Sequence, residues 1–147
     1  MPLYLENRQT AEALDCELVR RRFESLLERL GLAGRELEVE LLDDAAITLL
    51  NEKFFSRRRP TNVISFPLDS DSGPFAGEHL GTIAVSVETA RRETEELGYT
   101  LEEGVLYYLL HGLLHLLGYE HVGVADEVAA AMEKRQDELF ALVLAAD

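Results

Sequence analysis

Apolar residues recur at helical spacing from Asp15 to Leu30, at Leu18, Val19, Phe23, Leu26, Leu27 and Leu30, and Gly31 follows as a stop signal. Leu37, Val39 and Leu41 then alternate with Glu38 and Glu40, the period of a half-buried strand. Asp43 and Asp44 stand where they can cap a second helix carrying Ile47, Leu50 and Phe54 on one face. Ser56 to Asn62 reads as a loop, and Val63 to Phe66 as a short strand closed by Pro67. Asp69 to Gly77, rich in Gly, Ser and Asp, predicts a flexible loop, and His79 is placed in a loop as well. Thr82 to Val87 alternates again as a strand. Three helices are expected after it. They run from Glu88 to Leu97, from Leu101 to Leu117, and from about Asp126 onward with Val128, Met132, Leu139 and Val143 inward. Leu3 to Glu6 is a candidate edge strand. Strands and helices interleave, so the expected fold is α+β or α/β. A small mixed sheet of about four strands is packed by helices, in one domain over residues 1–147.

Composition sharpens this outline at a few points. A chain of 147 residues with 47% hydrophobic content can bury one core without covalent help. Its single cysteine, Cys16, permits no internal disulfide. There are 28 acids against 14 bases, giving a formal net charge of −14. That balance disfavours non-specific adhesion of the whole surface to nucleic acid or to an anionic membrane, while leaving room for a local basic patch, and no DNA partner is expected. No apolar run approaches the ~20 residues of a membrane span. The first residues lack the basic-then-apolar order of a secretion signal, so a cytoplasmic location is expected.

Three of the four histidines fall within the eleven residues His111 to His121. His111 and His115 lie one helical turn plus ~40° apart, so both imidazoles can reach one point beside the helix. Gly118 can take the left-handed conformation that ends the helix and let the chain bring His121 back to that point. Three imidazoles with one open position are the donor set of a catalytic zinc site, and nickel or another divalent metal suits it too. The spacing is that of the metzincin peptidases, but Gly112 stands where their general base would be, and glycine cannot take a proton. Glu120 is the nearest carboxylate in sequence, as a base or as support for a ligand histidine. A second feature is the basic island from Lys53 to Asn62. There Arg57, Arg58 and Arg59 present planar forks suited to phosphate. The other arginine runs read as surface: Arg20 to Arg22 as a solvated helix face, Arg91 and Arg92 as paired with nearby acids. Met132 reads as core.

His111 to His121 resembles the H-G-x-L-H-L-x-G-Y-D-H signature of the YbeY family of rRNA-maturation endoribonucleases. Pro60 to Pro67 resembles that family's P-T-[DN]-V-L-S-F-P segment, with Leu50-Asn51 the expected distance before it. Leu80 to Ile83 resembles its L-G-D-I. The resemblance implies a zinc-dependent endoribonuclease acting on single-stranded rRNA. It places that activity in small-subunit 3′-end maturation and ribosome quality control, with the small subunit and assembly factors as partners. It implies zinc on His111, His115 and His121, and a cleft between the metal helix and the sheet. This chain departs from the pattern at Phe55, where the family usually has an arginine, at Thr82 for its aspartate, and at Glu120 for the aspartate of D-H. Arg57, Arg58 or Arg59 is the candidate to replace the charge lost at Phe55. The attacking group, a metal-activated hydroxide or the RNA 2′-hydroxyl, is open at this level. Competing readings are a non-catalytic zinc-containing assembly factor, a metallopeptidase and a general phosphoesterase.

Overall fold

The computed structural model describes residues 3–67, 79–119 and 125–145. Asp69 to Gly77, expected as a loop, lies outside them, as do Glu120 and His121. Four strands form one sheet: β1 (Leu3–Asn7), β2 (Glu36–Leu42), β3 (Val63–Pro67) and β4 (His79–Ser86). Their order is β1-β2-β4-β3. The first three positions are parallel, with Leu3 opposite Leu37 and Val39 opposite Ile83. β3 closes the sheet antiparallel, Val63 opposite Val85. Among the described residues five helices accompany it: α1 (Cys16–Arg29), α2 (Asp44–Phe55), α3 (Val87–Glu95), α4 (Leu101–Leu116) and α5 (Asp126–Ala145). Among the described residues, no helix is long and apolar enough to cross a membrane.

Strand alternation sorts the side chains onto two faces. Leu37, Val39, Leu41, Ile83 and Val85 join the main core with Phe23 of α1, Leu106, Leu110 and Leu114 of α4 and Leu139 of α5. Leu42, Ile64 and Ala84 point the other way, under Ile47 of α2. α4 runs through the middle of the main layer. Eight of its sixteen residues are buried, the pattern of a helix covered on most sides. The helix starts follow from local chemistry. Asp15 accepts from Leu18 N, and Asp43 accepts from Ala46 N, each satisfying an otherwise orphaned amide.

Several expectations need correction. His79 is the first residue of β4 rather than a loop residue, and its Nδ1 lies 2.8 Å from Glu36 Oε2. Val128 is exposed, because it sits in the first turn of α5, ahead of the buried Met132. Phe54 shares the spacing of Ile47 and Leu50 yet is 53% exposed, its cover coming from Phe66 of β3. Arg20 is not simply solvated: its guanidinium donates to the carbonyls of Leu3 and Leu5 on β1. Arg91 and Arg92 pair far from their own helix, with Glu12 at 2.6 Å and Asp44 at 2.8 Å.

Asp44 links α2 to α3. Its Oδ1 accepts from Ser86 Oγ at 2.6 Å and Thr89 Oγ1 at 2.7 Å, and its Oδ2 pairs with Arg92. Burial pushes the carboxyl up, but hydrogen bonds from Arg92, Ser86 and Thr89 outweigh that, and it sits below the usual carboxylate range. A depressed carboxyl stabilises the fold above its unfolded pKa, and the contribution disappears as pH falls through the folded value. Asp44→Ala is therefore expected to cost about 2 kcal/mol near pH 7, with the gap to the parent closing in acid. Urea melts of both proteins at pH 7 and pH 3 check this. A gap that stays constant across that range would remove Asp44 from the acid response.

Candidate metal centre

The helix that carries the histidines is defined at both ends by its own residues. At its start Thr100 Oγ1 accepts from Glu103 N, and Glu103 Oε1 accepts from Thr100 N, a reciprocal capping box. At its end Tyr119 N donates to Leu114 O and Gly118 N to His115 O, a Schellman motif. Gly118 has φ 97° there, a backbone that glycine adopts without strain. The helix thus stops just after His115, with Gly118 as the stop that the sequence predicts.

His111 and His115 meet beside this helix. Their Nε2 atoms are 3.1 Å apart and their rings stand edge to face, centroids 4.7 Å apart. His111 Nδ1 lies 2.8 Å from Oε1 of Gln136 on α5. An amide oxygen only accepts, so with Gln136 Oε1 facing it the His111 Nδ1 is the donor, and Nε2 is the nitrogen turned to His115. Gln136 itself is buried, in a stripe with Met132, Leu139 and Val143. The recess over this contact is lined by Tyr107, His111, Met132, Glu133, Gln136 and Asp137.

The donor set fits a first-row divalent metal. Two imidazole nitrogens on a tetrahedral zinc, with bonds of ~2.0–2.1 Å, would be ~3.3 Å apart, close to the separation of these Nε2 atoms. A ligand histidine that donates its other nitrogen to a fixed acceptor is the usual support of such sites. Among the described residues no group of three ligating side chains is present, since His121 lies outside them. Sequence reasoning missed Gln136. The available signal was a lone amide on the inward stripe of an otherwise apolar helix face.

Gly112 has a packing reason. Ser65 Oγ donates to its carbonyl at 3.0 Å. A Cβ at this position would come within 2.7 Å of Ile83 Cγ2 and 2.9 Å of Ser65 Oγ. The position therefore faces the sheet, so a side chain there would enter the core. Thr82 also gains an account. It is the cross-strand partner of Glu38, and its Oγ1 lies 3.4 Å from Glu38 Oε2. An aspartate there would set two carboxylates side by side.

The basic island is built by the end of α2. Ser56 caps the helix in the left-handed conformation at φ 56°. Buried Asn51 donates Nδ2 to Arg59 O at 2.9 Å, and Arg57 N donates to Asn51 O. This folds Arg57, Arg58 and Arg59 back over the helix end with all three side chains exposed. Arg58 Nε pairs with Glu52 at 3.0 Å, whereas Arg57 and Arg59 make no ion pair among the described residues. The arginines stand on a separate segment from the histidines. The following segment shares an acceptor on α3 with α4. Asn62 Nδ2 and the Tyr108 hydroxyl both donate to Glu93 Oε1. Burial and that hydrogen bond push the Tyr108 phenol well up, so it stays protonated.

Comparison with known proteins fits this arrangement. Residues 4–143 match the family described as Endoribonuclease YbeY. The chain belongs to the YbeY family. A YbeY of Syntrophus aciditrophicus (strain SB), named an endoribonuclease, is 35% identical over 146 residues, 97% of this chain and 90% of the relative. That of Geobacter sulfurreducens is 35% identical over 144 residues, covering 97% and 96%. That of Aquifex aeolicus is 40% identical over 121 residues, covering 82% and 76%. A solution structure of a Thermotoga maritima protein superposes with a TM-score of 0.64 at 24% identity, over 96% of this chain and 88% of that one. That likeness shows the fold alone.

Proposed function

We propose that this YbeY chain is a zinc-dependent endoribonuclease specific for single-stranded RNA. We place it in small-subunit rRNA 3′-end maturation and ribosome quality control, in the cytoplasm beside the assembling subunit. The observation that carries the reading is the pair of convergent Nε2 atoms on α4, with Gln136 fixing one tautomer, in a chain of this family. His111, His115 and His121 are the residues that would hold the metal. Zinc, when bound, supplies Lewis acidity and brings the pKa of water to ~7.

The chain's own residues do the remaining work. Arg57 and Arg59, with no acid partner among the described residues, neutralise charge gathering on the phosphate undergoing attack. Arg58 is held back by Glu52 and contributes through the field of the island. Glu120 is positioned in sequence beside His121 to take or return a proton, or to orient that ring. The orientation of Gly112 into the sheet argues against the peptidase reading, because the place of a peptidase base is filled by packing.

The test is a labelled single-stranded RNA from an rRNA 3′ end, offered beside its duplex form. The parent is expected to cut only the single strand, to stop with a chelator and to resume with zinc. His115→Ala, purified identically, is expected to lose activity by at least ~100-fold. Equal cutting by both proteins would mean contamination. No cutting by either would favour a non-catalytic assembly factor.

A further inference from the structure

We propose that Phe54 and Phe55 form a base-stacking platform for single-stranded RNA, flanked by cations that take its phosphates. The proposal rests on the ribonuclease reading and assigns this chain's own contact to that substrate.

Both rings lie at the C-terminal end of α2, and both remain about half exposed, at 53% and 50%. They are not loose. The Phe54 ring meets Phe66 edge to face with centroids 4.9 Å apart, and Phe55 lies at 27° to Phe66 with centroids 6.4 Å apart. Phe66 is in turn packed on the smaller core cluster of Leu42, Ile47, Ile64 and Ala84. Two outer rings therefore rest on an inner ring that the sheet holds in place. Phe55 lies at a shallow angle to Phe66 and stays half exposed, which leaves ring area for a second flat partner. A phenylalanine buries ~150–250 Å² when fully covered, so two half-covered neighbours keep apolar area that a stacked base would remove from water.

Charge decides which flat partner suits the surface. From Lys53 to Leu68 the sequence contains four cations and no acid, in a chain with net charge −14. Lys53 Nζ sits 5.2 Å from the Phe54 centroid. Arg57 and Arg59, free of ion pairs among the described residues, follow within five residues of the rings. Rings interleaved with cations are what a single strand requires, because its bases are open for stacking and its phosphates need neutralising. A duplex hides its bases and would gain only the charges. The platform thus supplies a physical basis for preferring single strands that the histidines alone do not.

The test uses the full chain and two 12-nucleotide 2′-O-methyl probes, one with bases and one abasic, read by fluorescence anisotropy over a salt series. Phe55→Ala and Phe54→Ala are each expected to weaken binding of the probe with bases by about 5- to 150-fold. Phe55→Leu, which keeps apolar bulk but no π face, should fall with them, and Phe55→Tyr should bind as the parent does. The abasic probe should bind the parent weakly and lose little further in the phenylalanine variants. Arg59→Gln should instead flatten the salt dependence for both probes. Thermal melts of the Leu and Tyr variants at parental temperature separate lost binding from lost folding. If the parent cuts single-stranded RNA while the phenylalanine variants bind both probes as it does, the platform is wrong and the ribonuclease reading stands. Leucine substituting fully for phenylalanine would also overturn the platform and point to an apolar protein partner. If the parent neither binds nor cuts RNA, both readings fall.

Discussion

Gly112→Glu, the substitution that would restore a peptidase-like motif, is expected to unfold the protein rather than to create a peptidase. The new Cβ would start 2.7 Å from Ile83 Cγ2 and 2.9 Å from Ser65 Oγ, and Ile83 is fully buried in the main core. Overpacking at such a place costs ~1–3 kcal/mol, and a carboxylate carried into the layer between helix and sheet adds several more. A combined loss above ~4 kcal/mol lowers the melting temperature of a chain this size by roughly 10–15 °C, or prevents folding. Gly112→Ala meets the same first atoms without the charge. Its gain of ~1 kcal/mol in helix propensity offsets part of the clash, so it should be only mildly destabilised. Circular-dichroism melts of the three proteins check the order. A Gly112→Glu protein melting with the parent would mean that α4 can lift off the sheet, and it would revive the peptidase comparison. A casein digest would then be informative.

Gln136→Leu is expected to weaken zinc binding by 10- to 100-fold with little effect on the fold. The side chain is buried and similar in size to leucine, so packing is kept while the acceptor for His111 Nδ1 is lost. His111 is then less firmly held in the tautomer and rotamer that present Nε2 towards His115, and loss of such support typically weakens metal sites by that factor. Gln136→Glu keeps an acceptor and should hold the metal at least as well. Competition against a chromophoric chelator gives the affinities without reference to RNA cleavage. Equal affinities for the parent and the leucine variant would reduce Gln136 to a packing residue.

Much of this architecture was legible because its determinants are local. Asp43 caps the helix that follows it, Gly118 ends α4, and the alternation at 37–41 marks a strand buried on alternate sides. The i, i+4 histidines needed only helix geometry. What sequence did not disclose depends on distant partners. Gln136 reaches His111 across 25 positions, and Arg92 finds Asp44 across 48. Phe54 follows the apolar period of its helix, but among the described residues the last turn of α2 has the half-buried Phe66 of β3 as its ring cover. Gly112 read as a missing base until the approach of α4 to β3 and β4 gave it a steric role.

The arginine that bonds to β1 makes the two margins of the sheet unequal. A bare strand margin is a template on which another extended chain can polymerise. At β1, the Arg20 guanidinium occupies the carbonyls of Leu3 and Leu5 that such a chain would seek. At the opposite margin, no further strand pairs with β3 among the described residues. Among the described residues the guard against self-pairing is thus one-sided: a single side chain of α1 caps the β1 margin, and the first strand is protected by the helix that follows it in the chain.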